Sequence, residues 1–276
     1  LGDLDEAAGV TCASDIAHGL VTTIPTNAGT YNLQITDGSN AINDIGAALA
    51  YSEAVKKVVN LVDGGSGTDI ATAFESTSLK GLAERGGEDT AEKFATHHGG
   101  ANWMSAIITD ATKASGSSYS TAGAKAEAIQ KTIQDSIAMQ SIITDLEHAG
   151  HAEHGETADQ KNAYWDSAAA KYFGTTAARS STIYARADKR GLNFGQMEAG
   201  SISGEGEVSK VNKNILAAFN SGPSEANMNT IIKKAALAAA IISAPLAASA
   251  TDLVGGGGVV SFLLEEQQRG EVEQRE

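Results

Sequence analysis

Apolar residues recur at intervals of three and four along most of the chain, the spacing that gathers them on one face of an α-helix. Ile42, Ile45, Leu49, Val55, Val58, Val59 and Val62 predict a first long helix, capped at its start by Ser39 or Asp37 and ended by "DGGSGTD". A shorter helix over 71–85 stops at Gly86-Gly87. "DTAEKFATHHGG" gives another, with Gly99-Gly100 as its terminator, and "NWMSAIITDATKA" follows, ahead of a Ser/Gly loop at 115–120. The clearest helix covers 122–149, where Ile129, Ile133, Ile137, Met139, Ile142, Ile143 and Leu146 form one apolar face. Gly150 suits the left-handed position just past its end, which puts most of "HAGHAEHGE" in a loop.

Thr157 and Gln160 have capping-box spacing, and Trp165, Ala168, Ala169 and Tyr172 continue from them on one helical face, with Gly174 as the stop. Helices are predicted over 180–190, 208–220 and 228–250, and "GGGG" at 255–258 reads as a flexible joint. Residues 1–33 carry no clear pattern, and no alternating runs or hairpin dipeptides stand out. The expectation is an all-α fold, a multi-helix bundle of roughly eight to ten helices. The rhythm of helix, glycine stop and helix repeats on either side of the Ser/Gly loop. The bundle therefore reads as one helical domain over 1–264, divisible into similar halves at 34–115 and 122–254, before an acidic, flexible tail at 265–276.

Composition sharpens this picture. A chain of 276 residues with a 42% hydrophobic share can bury a core, yet only 5% is aromatic and alanine leads the apolar content. Small side chains favour close helix–helix packing, and with only three prolines in the whole chain most helices run uninterrupted. The formal net charge of −14, from 34 acidic and 20 basic residues, repels duplex nucleic acid and suits a cation or a basic protein partner. Cys12 is the only cysteine, so no disulfide can form within this sequence. The opening "LGDLDEAAGV" has neither a basic start nor an apolar stretch, so any targeting segment is expected to have been removed already. "AALAAAIISAPLAASA" at 235–250 is apolar, but Ala and Ser drive insertion weakly and Pro245 interrupts it. It reads as a buried helix broken at the proline, not as a membrane span.

Candidate chemistry centres on "HAGHAEH", which holds three of the six histidines, His148, His151 and His154, among Glu147, Glu153 and Glu156. On an ideal helix the three would drift over a stripe about 120° wide, so all three meet one ion only if the chain bends, as Gly150 and Gly155 permit. Imidazoles with carboxylates suit divalent ions such as zinc, nickel, copper or iron. Protonation near pH 6 would make the same cluster a pH-responsive patch, and a solvated loop is the third reading. The spacing is not that of a zinc peptidase. His97-His98 at a predicted helix end is favourable there as a cationic pair and is also a candidate metal pair. Tyr184 and Asp188, four apart, share a helical face, with Lys189 and Arg190 as rival partners for the aspartate. Neither a nucleophile motif nor a phosphate loop is present, and an enzyme is not expected.

Three stretches in order carry a resemblance: "EKFATHHGGANWMSAIITDA" at 92–111, "YWDSAAAKYFGT" at 164–175, and "IYARADKRGLNFG" at 183–195 with "VNKNILAAFNSG" at 211–222. Together they resemble the algal low-iron-inducible periplasmic proteins, the group that includes the phytotransferrins, over roughly residues 40–252. The resemblance implies an all-α protein of the cell surface or periplasm that takes part in iron assimilation and binds Fe(III) together with carbonate. Candidate donors for ferric iron are Tyr51, Tyr164, Asp166, Tyr172, Tyr184 and Asp188. This chain departs from the family at its cysteines, at His97-His98 where the family has aromatics, and at Gly191 where the family tends to have cysteine. Histidine in place of tyrosine moves the preference from Fe(III) toward divalent ions such as zinc.

The leading expectation is a non-enzymatic metal-binding protein outside the cell. The alternative is a structural or accessory protein, bound to a membrane surface or a larger complex, or in an organelle lumen, that kept the fold and lost the metal.

Overall fold

The apolar face over 122–149 is the centre of the molecule, but it is not one regular helix. The computed structural model describes residues 22–35, 41–84, 89–152, 154–200 and 206–243. Within these, α6 (Ala122–Lys131) passes through a π-helical segment (Thr132–Ile137) into α7 (Ala138–Gly150). Ile129, Ile133 and Ile137 are spaced by four, and all are buried. A regular helix would rotate them progressively off the core; the wider π turn keeps them aligned. Thr121 starts this unit by accepting from the backbone N–H of Ala124 at 3.1 Å.

The preceding helices are α1 (Ala41–Val62), α2 (Gly67–Glu75), α3 (Ser78–Ala83), α4 (Asp89–His98) and α5 (Trp103–Ala111). The helix expected over 71–85 is thus two helices, α2 and α3. Ser66 and Asp69 form a reciprocal capping box that starts α2 four residues before the expected start. After α7 come α8 (Ala158–Phe173), a 3₁₀ turn (Arg179–Ser181), α9 (Ile183–Asn193), α10 (Lys210–Asn220) and α11 (Glu225–Ser243). Thr157 and Gln160 cap α8 as their spacing predicts, and Gly174 ends it at φ 65°, a left-handed conformation that favours glycine.

Two short antiparallel hairpins were not anticipated by the pattern. β1 (Thr23–Thr26) pairs with β2 (Gly29–Asn32), setting Ile24 opposite Tyr31. β3 (Met197–Ala199) pairs with β4 (Glu207–Ser209). Strands of three or four residues show too few inward positions for alternation to be recognised. The protein is otherwise helical, as expected of an all-α multi-helix fold.

α8 packs between α1 and α7, and α7 also touches α4 and α11. Gly150 is the last residue of α7 and lacks the expected left-handed conformation. Its role is close approach: a Cβ there would sit 2.8 Å from Met228 Sδ on α11. The buried apolar residues form one cluster that runs through both expected halves. Tyr31, Trp165, Tyr172, Phe173, Tyr184 and Phe219 supply its aromatic part, and Trp165 Nε1 donates to the Phe219 carbonyl at 2.9 Å. Asp166 ties the hairpin to α8. Its carboxylate accepts from the backbone N–H groups of Gln34 (2.9 Å) and Ile35 (3.0 Å), and from the Tyr31 hydroxyl. Burial pushes its carboxyl up to about 6, against the downward pull of those donors.

No helix among the described residues is long and apolar enough to cross a membrane. Cys12, His18, Glu153, Pro245, the glycine run at 255–258 and the acidic tail at 265–276 lie outside the described residues.

Candidate metal centre

Three residues converge where α7 hands over to α8. His148 is in the last turn of α7, whose closing hydrogen bond runs from the His151 N–H to the Glu147 carbonyl at 3.0 Å. The chain then turns through Gly155, which has φ 75°, a conformation an L side chain would strain. The turn brings Glu156, the residue before the Thr157 cap of α8, back over the end of α7. Nδ1 of His148 lies 2.5 Å from Oε1 of Glu156. One ligand atom each from His148, His154 and Glu156 lie within 4.8 Å of one another.

Rigid surroundings hold this group. The His148 ring stacks on Tyr164 of α8, centroids 4.6 Å apart and planes 19° apart. The His154 ring is 4.7 Å from His148, and His151 lies parallel to His154 at 5.7 Å. The Lys161 ammonium donates to the His151 carbonyl at 3.0 Å, clipping the loop to α8. The His148 and Glu156 side chains are 17% and 10% exposed, so the group is sheltered yet reachable from solvent. Oε2 of Glu156 is buried and has no hydrogen-bond partner. A buried carboxylate oxygen left in this state is costly unless something else meets it. Burial alone would raise the Glu156 carboxyl, but hydrogen bonds from His148 and its own backbone N–H, with the nearby imidazoles of His148 and His154, hold it below the usual carboxylate range.

Two imidazole nitrogens and a carboxylate oxygen are a recognised first-row donor set. Bonds near 2.0–2.1 Å would place tetrahedral donors ~3.3 Å apart; the three atoms lie within 4.8 Å, and the His148–Glu156 pair at 2.5 Å would open to admit an ion.

The other candidates have different surroundings. His97 and His98 are in the last turn of α4, rings edge to face at 4.8 Å, and belong to no such cluster among the described residues. His98 stacks on Trp103 at 3.9 Å, and burial followed by the neighbouring His97 brings it down to about 4. Tyr184 and Asp188 do share a face of α9, and both are engaged. The Tyr184 hydroxyl donates to Asn27 Oδ1 and accepts from the Ala28 N–H, both at 3.0 Å. Asp188 accepts from the Ser209 N–H at 2.8 Å and from Asn212 Nδ2 at 2.7 Å, in place of the expected Lys189 or Arg190. Tyr172 donates to Asn212 Oδ1 at 2.6 Å, so the same asparagine links two of the candidate ferric donors. Burial raises both phenols, with the Asp188 charge adding to the effect, which opposes phenolate formation. This buried network does not fit a ferric–carbonate site.

Glu156 is the member of this converging group that the sequence does not single out. Its charge marked it no more than Glu147 or Glu153, and only the turn at Gly155 selects it. Tyr164, which walls the site, had been considered only as a donor to ferric iron.

No family model matches the chain, and no curated protein or solved structure matches it.

Proposed function

We propose that this chain is a non-enzymatic metal-binding protein whose cargo is a divalent transition-metal ion held by His148, His154 and Glu156. The observation that carries this reading is the convergence of their three ligand atoms within 4.8 Å, at a carboxylate whose second oxygen is buried and unbonded. Neutral imidazole with carboxylate selects borderline ions such as zinc over Fe(III), which prefers phenolate and carboxylate oxygen. The net charge of −14 favours cation capture in general. A role in metal assimilation at a cell surface or in a periplasm is supported by the resemblance of the three helical stretches to low-iron-inducible proteins. Capture and delivery require no chemical step on a substrate.

A second reading, an accessory protein that docks on a larger assembly, is favoured by Leu192 and Phe194. These are the exposed large apolar side chains among the described residues, at 64% and 58%, two residues apart at the end of α9.

Calorimetric titration with Zn(II), and separately with Fe(III) plus bicarbonate, tests the first reading. Micromolar or tighter zinc binding, abolished in His148→Ala and His154→Ala, is the expected result. Zinc heat that survives both substitutions, or none at all, would overturn it.

A further inference from the structure

The three converging donors leave one position of a tetrahedron to fill. In zinc proteins a fourth position occupied by water marks a catalytic site, and one occupied by a fourth side chain marks a closed, holding site. We propose that His151 closes this site, swinging onto the ion as its fourth protein ligand. The inference rests on the metal reading above and specifies the coordination and hence the cargo: an ion content with four nitrogen and oxygen donors.

The geometry points to His151 for three reasons. Its backbone is tied to both helices that frame the loop, by its N–H to the Glu147 carbonyl of α7 and by its carbonyl to the Lys161 ammonium of α8, each at 3.0 Å. Its Cα is therefore held beside the site; its ring lies outside the converging group and would reach the ion by rotation of the side chain. Its ring is already aligned with that of His154, centroids 5.7 Å apart and planes 14° apart. His154 in turn lies 4.7 Å from His148, so the three rings form a continuous file ending at Glu156. Lastly, His151 is only partly exposed, and its ring stands at the end of the file of rings that leads to the site.

A three-histidine, one-carboxylate shell leaves no exchangeable water on the ion. Such a site holds and releases its metal as a unit and has no open position for hydrolytic chemistry, in keeping with a carrier. It also disfavours ferric iron, which takes six hard donors, and magnesium, which keeps several waters.

Cobalt(II) is the probe, because four-coordinate Co(II) absorbs visible light several-fold more strongly than five- or six-coordinate Co(II). The full chain titrated with Co(II) is expected to develop the intense four-coordinate band. In His151→Ala, whose backbone hydrogen bonds are retained, water replaces an imidazole nitrogen on the ion, and the band should change in position and intensity. The affinity should fall by about tenfold or more, since losing even an outer partner of a metal ligand costs on the order of 10–100-fold. Added imidazole should restore the band in that variant by filling the vacated position. A purely structural His151 would not give this rescue. A band and an affinity both unchanged in His151→Ala would overturn the inference, leaving the fourth position to water, while the metal reading stood. Absence of any Co(II) or Zn(II) binding to the unaltered chain would overturn both.

Discussion

Lys171 and Asp145 meet at 2.6 Å in the core, where α8 crosses α7. Their side chains are 7% and 3% exposed, and Ser167 donates to the same carboxylate oxygen at 2.7 Å. Two charges taken out of water are offset by each other and by the added hydroxyl, but a single charge left behind is not. Removing one partner, in Lys171→Met or Asp145→Leu, is expected to cost roughly 3–5 kcal/mol, and the double substitution clearly less than the sum of the two. Urea denaturation of the four proteins measures this. Strictly additive losses would show that the two groups do not act as a pair.

The helical frame was legible because its signals are local. Thr157 with Gln160 announced the start of α8, Gly174 its end, and Trp165 with Tyr172 its buried face. What stayed illegible depends on residues far apart in sequence. Asp166 is spent on Gln34 and Ile35, 132 and 131 positions away. Asp188 reaches past its basic neighbours to Ser209 and Asn212. No spacing rule finds such partners. The hairpins escaped because no strand offers more than two buried residues, and the π turn because its apolar spacing of four is also that of a regular helix. At the candidate metal centre the histidines were visible as a cluster, while the approach of Glu156 to them came from the fold of one loop.

Glycines give a paired test of packing. A Cβ at Gly191 would meet Ser209 Cβ at 2.6 Å and Met197 Sδ at 2.8 Å. Ser209 is fully buried and cannot give way, so Gly191→Ala is expected to destabilise by about 1–3 kcal/mol. Gly123, in the first turn of α6, has nothing within 4 Å of an added Cβ. Gly123→Ala should therefore stabilise by roughly 0.5–1 kcal/mol, through helix propensity and a less disordered unfolded chain. Thermal melts of both variants decide. A neutral Gly191→Ala would contradict the close contact between α9 and β4.

His98 supplies the pH dependence. Its ring stacks on Trp103 at 3.9 Å, and burial, followed by the His97 beside it, lowers it from an ordinary histidine value of 6.5 to about 4. Between those two values the unfolded chain binds a proton at this position that the folded chain does not. Stability contributed here is therefore fully present above 6.5, declines as the pH falls through that window, and is lost below about 4. His98→Phe keeps a ring against Trp103 and removes the titration, so its stability should fall less steeply than that of the unaltered chain as the pH drops from 6.5 to 4. Nuclear magnetic resonance titration of the His98 ring, with urea denaturation of both proteins at intervals over the same range, measures the midpoint and the slope. A ring titrating at 6.5, or two parallel stability curves, would mean that His98 is solvated and that the stack on Trp103 does not shield it.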